Sequence, residues 1–112
     1  MIRDIRSAMD AINECSDGVS GYELMTSLRT AVLAACQAIA DRHGCSVSEE
    51  TAGSGSHYIS IDREDADGCA DVSIKVRVAN HSARHAHDWS FEPTDSDKSL
   101  AVGLARIETL CQ

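Results

Sequence analysis

Aromatic residues and proline are scarce in this chain. Phe, Trp and Tyr together make up 4% of its 112 residues, and there is a single proline. Apolar residues still account for 43%, which is typical of a globular domain, so we expect a core built from aliphatic, Ala, Met and Cys side chains. A chain of this length supports one hydrophobic core, which predicts a single domain over residues 1–112.

Long apolar runs are absent, and basic residues are in the minority. No stretch approaches the roughly 20 apolar residues that span a bilayer, and Asp4 and Asp10 make the first residues atypical of a signal peptide. Acidic residues outnumber Lys and Arg by 18 to 10, for a formal charge of −8. Because attraction to nucleic acid and to anionic membranes depends on Lys and Arg, this charge disfavours both and favours a protein partner with a basic surface.

Cysteines are present in an odd number and form no Cys-x-x-Cys pair. They are Cys15, Cys36, Cys45, Cys69 and Cys111. This pattern predicts reduced thiols, since a disulfide framework or a thiolate metal site requires regular pairs. Reduced thiols are typical of a cytoplasmic protein.

Three segments show the period of a helix. Apolar residues at spacings of three and four predict a first helix over residues 2–12, which ends at the turn residues 16–18. Ser20 and Glu23 have the spacing of a capping box, which predicts a second helix from Ser20 to about Arg42. The residues after Pro93 predict a third helix, whose core face consists of Leu100, Leu104, Ile107 and Cys111.

Between the second and third helices the hydrophobic period changes to two, which predicts strands. Three strands are expected at residues 45–48, 58–61 and 72–78. A short edge strand is expected at residues 89–91, and Asp67-Gly68 is a favoured hairpin dipeptide. The alternation over residues 72–78 predicts one buried face and one wet face that carries Lys75 and Arg77.

The order of elements predicts an α+β fold. Two N-terminal helices, a three- or four-stranded antiparallel β-meander and a C-terminal helix would pack with the helices on one face of the sheet. No boundary divides this arrangement into two domains.

The histidines of residues 81–87 are the most conspicuous candidate for a metal site. His85 and His87 suit one metal in an extended segment, and His81 with His85 suits one in a helical turn. A metal-binding domain or small metalloenzyme that uses His81, His85 and His87 is therefore one hypothesis. A polar surface loop without metal is the other, and it is the one that we adopt.

Motifs for catalysis or for a bound cofactor are missing from the sequence. The acidic residues from Asp62 to Asp71 do not fit an EF-hand, because Ala66 occupies the fifth position and no Glu occupies the twelfth. A nuclease-like acid-x-Lys pattern fails because Ser73 stands two residues before Lys75. Nucleophile elbows and phosphate-binding glycine loops are also absent. We predict that the protein is not an enzyme and holds no cofactor.

Charge is distributed unevenly along the chain. Residues 45–71 contain seven acids and one base, for −6, whereas residues 72–87 contain three bases and no acid, for +3. The first of these segments predicts an acidic edge that binds a basic groove on a partner protein. The residues of this candidate site are Glu49, Glu50, Asp62, Glu64, Asp65 and Asp67.

Two short segments carry a family resemblance. Residues 56–61 (SHYISI), followed by residues 74–81 (IKVRVANH) and Arg84, resemble a pattern in small uncharacterised proteins of bacterial prophages and other mobile elements. Through that setting, its size and its acidity, the chain is similar to anti-CRISPR proteins, which inhibit bacterial immune complexes by binding them. The resemblance implies the cytoplasm of a bacterial host cell and implies no enzymatic activity.

The leading hypothesis is a stoichiometric protein-binding inhibitor of the anti-CRISPR type. Its carboxylates would press against a channel rich in Lys and Arg in a nucleic-acid-handling host complex. A structural homodimer is a further alternative, in which the helices pair through the apolar stripe from Met25 to Ile39.

Overall fold

The computed structural model describes residues 1–15, 18–51, 56–81 and 86–112. Within these residues the chain forms three helices, namely α1 (Ile2–Glu14), α2 (Gly18–Arg42) and α3 (Asp97–Cys111). Four strands lie between the last two helices, namely β1 (Ser46–Thr51), β2 (His57–Glu64), β3 (Ala70–Val78) and β4 (Trp89–Phe91). The predicted α+β fold and the order of its elements are confirmed.

The four strands form one sheet in the order β1-β2-β3-β4. β1 pairs with β2, and β2 pairs with β3, in the antiparallel sense. β4 pairs with β3 in the parallel sense, with Val76 opposite Trp89 and Val78 opposite Phe91. This short strand differs from the expected antiparallel meander, because Trp89 enters the sheet beside Val76 and β4 then runs in the same direction as β3.

One face of the sheet carries the core. Ile59 lies opposite Val76 and Ile61 lies opposite Ile74 in the β2–β3 pair, and all four side chains are buried. Because side chains alternate between the faces of a strand, this face receives every second residue of β2 and β3. α2 and α3 contact the sheet, and α1 packs against both of these helices.

The apolar stripe of α2 lies inside this core. Leu28, Val32, Cys36 and Ile39 are each at most 1% exposed, so they are used in packing within the chain. A homodimer through the stripe from Met25 to Ile39 would have to use side chains that already pack in this core, and the dimer stays a hypothesis.

The start of α2 also differs from the prediction. The helix begins at Gly18, so the backbone of Ser20 is already helical, whereas an N-cap residue has non-helical dihedral angles. The proposed contact between the side chains of Ser20 and Glu23 lies outside the described residues. Among the described residues, no helix is long and apolar enough to cross a membrane.

The face of the sheet opposite the core is only partly exposed to solvent. Ser73 and Lys75 of β3 are exposed as predicted, but Arg77, two residues further along, is 1% exposed. The prediction that Arg77 faces water is wrong. Its guanidinium group is enclosed by residues that lie just before β2, just after β3, and in and just after β4.

Candidate functional site

The β2–β3 hairpin is held together by one of the predicted site residues. The backbone amides of Asp67 and Cys69 donate to Asp65 Oδ1 at 2.9 and 3.0 Å. The Asp65 amide donates to the Cys69 carbonyl oxygen at 2.8 Å, and Gly68 supplies the positive φ of 79° that the turn requires. The Asp65 carboxylate is thus part of the turn itself and is poorly suited to bind a partner.

Three other acidic residues lie at this end of the sheet. Asp62 and Glu64 belong to β2, and Asp67 lies in the turn that follows it. Within the described part of the chain none of these three carboxylates forms an ion pair. The nearby cation, Arg63, instead pairs with Asp71 at 2.8 Å. We call Asp62, Glu64 and Asp67 the hairpin acidic surface.

Glu49 and Glu50 lie at the opposite end of β1. Glu50 is opposite Tyr58, whereas Asp62 is opposite Ser46, four residues away along the strand. At the rise of a β-strand this separation is about 13 Å. The six predicted site residues therefore fall into two groups, with Glu49 and Glu50 at one end of β1 and the other four at the hairpin end of the sheet.

Glu49 is engaged by a buried histidine. His57 Nε2 lies 3.0 Å from Glu49 Oε1, and His57 Nδ1 lies 3.1 Å from Thr51 Oγ1. The His57 side chain is 5% exposed, and both of its ring nitrogens have partners. Both ring nitrogens contact side chains of β1, so these three side chains brace β1 against β2.

Arg77 is a buried cation that the sequence pattern does not reveal. Its Nε donates to Ser56 Oγ at 3.3 Å, its Nη1 to Ser90 Oγ at 3.2 Å, and its Nη2 to the His81 carbonyl oxygen at 2.7 Å. A carboxylate oxygen of Glu92 lies 3.8 Å from Nη1. The guanidinium group therefore joins the start of β2, the end of β3 and the strand β4.

The basic segment of residues 72–87 is less available than its charge suggests. Arg77 is buried, and the Lys75 ammonium lies 5.4 Å from the centroid of the Tyr58 ring. A cation over an aromatic face is attracted by the ring quadrupole, so Lys75 has a local partner. Arg84 lies outside the described residues. Negative charge thus dominates the accessible surface of β1, β2 and the hairpin.

The predicted metal-binding histidines are described only in part. His81 is exposed, and its Nδ1 lies 3.1 Å from Asn80 Oδ1. His87 is half-buried beside Lys75 and Asp88 in a shallow cleft. His85 lies outside the described residues. Among residues 1–15, 18–51, 56–81 and 86–112, no group of three His, Cys, Asp or Glu side chains is arranged to hold a metal ion. The metal site remains a hypothesis.

The signal for Arg77 in the sequence is weak. The alternation of β3 predicts that its side chain faces water, and only the buried Ala79, at the next outward position after Arg77, departs from that alternation. The partners of Arg77 come from positions 56, 81, 90 and 92, which the fold alone brings together.

Among the described acidic residues of the candidate site, Asp62, Glu64 and Asp67 are those at the hairpin whose carboxylates form neither an ion pair nor a hydrogen bond within the turn. Comparisons with protein-family models, with curated proteins and with solved structures found no significant match to this chain.

Proposed function

We propose that this domain binds a partner protein through the hairpin acidic surface. The observation that carries the proposal is that Asp62, Glu64 and Asp67 project from one end of the sheet without an ion pair among the described residues. Unpaired carboxylates retain their full charge for an incoming cation and need not break an existing bridge first. A partner with clustered Lys or Arg side chains complements such a surface.

The hairpin suits this role because it presents charge on a well-braced support. Asp65 fixes the turn, and the pair of Arg63 with Asp71 joins β2 to β3 across the hairpin at 2.8 Å. Carboxylates on a preorganised element lose less conformational freedom on binding than carboxylates on a flexible loop. Opposite charge on the two partners also speeds their association.

The target that we propose is a nucleic-acid-handling complex of a bacterial host. Its channel would carry Lys and Arg side chains that normally contact phosphates, and the carboxylates would occupy those positions. Inhibition of this kind is stoichiometric and requires no catalytic residue in the domain. It agrees with the resemblance to proteins of prophages and to anti-CRISPR proteins.

Affinity capture from a bacterial host lysate at low salt tests the proposal. The wild type is compared with the triple variant Asp62→Asn, Glu64→Gln and Asp67→Asn, which keeps Asp65 and therefore the turn. Each exposed charge pair contributes about 0.5 kcal/mol, so losing three should weaken binding about tenfold. The captured complex is then purified, and its binding to nucleic acid is measured as the domain is titrated against it.

A matched variant controls for the change in net charge. Asp4→Asn, Glu14→Gln and Glu23→Gln remove three exposed carboxylates from α1 and α2, and this variant should bind like the wild type. Equal weakening of binding in both triple variants would show that the effect depends on net charge alone. Undiminished binding by the hairpin variant, or a captured complex whose nucleic-acid binding does not fall on titration, would contradict the proposal.

A further inference from the structure

A surface cleft lies between the start of β1 and the end of β2. Its volume is about 400 Å³. The cleft is lined by Gly44, Cys45, Ser46, Asp62, Arg63 and Glu64. Cys45 is 8% exposed and is the cysteine among these lining residues. A small molecule that enters the cleft can reach Cys45.

Arg63 joins Cys45 to the C-terminal end of α3. Its Nη1 donates to the His43 carbonyl oxygen at 2.6 Å and to the Cys111 carbonyl oxygen at 3.1 Å. The same nitrogen lies 4.0 Å from Cys45 Sγ. The contact places a cation beside the Cys45 sulfur atom.

A second cysteine contacts the same guanidinium nitrogen. Arg63 Nη1 lies 4.0 Å from Cys45 Sγ and 3.1 Å from the Cys111 carbonyl oxygen, so the two cysteines are neighbours, and Cys111 is fully buried. Burial, with the negative charge of a Cys45 thiolate, raises the pKa of Cys111 to about 11. Cys36, deeper in the core, has its pKa raised by burial to about 12. Cys111 therefore stays protonated, and of these two thiols Cys45 is the one that an oxidant in the cleft meets first.

We propose that Cys45 and Cys111 form a peroxide-sensitive dithiol that closes to a disulfide. The inference does not rest on the proposed partner-binding function, although Asp62 and Glu64 belong both to the cleft and to the hairpin acidic surface. The described part of the chain, which includes all five cysteines, contains no disulfide, so the structure represents the reduced form. The oxidant is a hydroperoxide small enough to enter the cleft, such as hydrogen peroxide.

The chemistry balances in two steps. The Cys45 thiolate attacks one oxygen of hydrogen peroxide, the O–O bond breaks, and the leaving hydroxide takes up a proton to become water. Cys45 is then a sulfenic acid. The Cys111 thiol loses its proton and attacks the Cys45 sulfur, the S–O bond breaks, and a second water leaves. Two thiols have lost two electrons and two protons, and one peroxide has been reduced to two waters.

Peptide mapping of the intact chain tests the proposal, because trypsin separates the five cysteines. Cys45 falls in residues 43–63 and Cys111 in residues 107–112, whereas the other three fall in residues 7–29, 30–42 and 64–75. Dilute native protein is treated with a small excess of hydrogen peroxide, alkylated and digested without reductant. We expect a peptide of residues 43–63 joined to residues 107–112, lighter than their sum by two hydrogen atoms and released by dithiothreitol.

Cys69 provides the internal comparison, since it is exposed at the hairpin and lacks these neighbours. If exposure alone governed oxidation, Cys69 would react before Cys45. The proposal requires the opposite order, with the Cys45–Cys111 link formed while Cys69 is still alkylated. Cys69→Ser should leave the link unchanged, and Cys45→Ser or Cys111→Ser should abolish it.

Three outcomes would overturn the proposal. The first is oxidation of Cys69 ahead of Cys45 in the wild type, a result that does not depend on whether any variant folds. The second is conversion of Cys45 to sulfinic acid with Cys111 still alkylated. The third is a link between Cys36 and Cys111, which would place the reactive pair inside the core.

Discussion

Arg77 is a buried cation that is only 1% exposed. The free-energy cost of removing its charge from water must be offset by its contacts. An ionised group loses several kcal/mol of hydration on burial unless hydrogen bonds replace the lost water. Three donated hydrogen bonds and the Glu92 carboxylate at 3.8 Å supply that replacement. Removing the side chain would leave Ser56, Ser90 and the His81 carbonyl without this donor.

We expect Arg77→Ala to lower the free energy of unfolding by about 3 kcal/mol, because it creates a cavity and breaks a buried polar network. Urea denaturation followed by circular dichroism measures the change. Lys75→Ala is the matched control, since Lys75 is exposed on the same face of the same strand and should cost at most about 1 kcal/mol. An equal loss in the two variants would contradict the structural role assigned to Arg77.

At the scale of elements, two contacts determine how α3 is placed. A β-carbon at Gly103 would overlap the Trp89 indole, so the absence of a side chain there lets α3 lie close against β4. Nearer the C-terminal end of the helix, Glu108 Oε2 lies 2.8 Å from Arg42 Nη2, and Glu108 Oε1 lies 3.1 Å from His43 Nε2. The second contact joins the C-terminal ends of α2 and α3.

The hydrogen bond from Arg42, followed by that from His43, lowers the pKa of Glu108. A carboxylate whose pKa is lower in the folded state stabilises the fold above its unfolded pKa and loses that contribution as the pH falls through the folded pKa. We therefore expect Glu108→Gln to lose up to about 1 kcal/mol at pH 7, because the pair is partly exposed. The difference should vanish in acid, below the lowered pKa.

Denaturation curves of both proteins at neutral and acidic pH measure this difference. Glu64→Gln is the control, because Glu64 is exposed and forms no ion pair among the described residues. Its removal should cost no stability at neutral pH. A deficit in Glu108→Gln that persists unchanged in acid would show that the side chain acts by packing alone.

At the scale of the whole molecule, the net charge of −8 opposes the compact state. The repulsion is concentrated, since residues 45–71 contribute −6 of that charge and only some of their acids are paired. Added salt shortens the range of this repulsion from about 30 Å at 0.01 M to about 10 Å at 0.1 M. Added salt also weakens the surface ion pairs, but these affect the stability of the fold less than the repulsion does.

We expect the melting temperature to rise as sodium chloride increases from about 0.01 to 0.3 M, because the screened repulsion exceeds the screened attraction. The triple variant of the hairpin acidic surface should melt higher than the wild type at low salt and should respond less to added salt. Differential scanning calorimetry measures both. A melting temperature that falls with salt in the wild type would show that ion pairs dominate the electrostatics of the fold.

The local periodicity of the sequence accounts for much of this structure. The stripe of α2, the alternation of residues 72–78 and the Asp67-Gly68 turn are short-range features, so they predict the elements and their order before any packing is known. The concentration of acids in residues 45–71 also follows from the sequence alone.

Only the tertiary structure decided which of those charges remain available. Asp65 is used by the turn, Glu49 by His57 and Asp71 by Arg63, and each contact depends on strand register or turn geometry. The parallel direction of β4 and the burial of Arg77 depend in the same way on the register at which Trp89 enters the sheet beside Val76. Contacts between residues distant in sequence leave no local period, and for that reason the sequence predicted the acidic segment while the fold selected its accessible carboxylates.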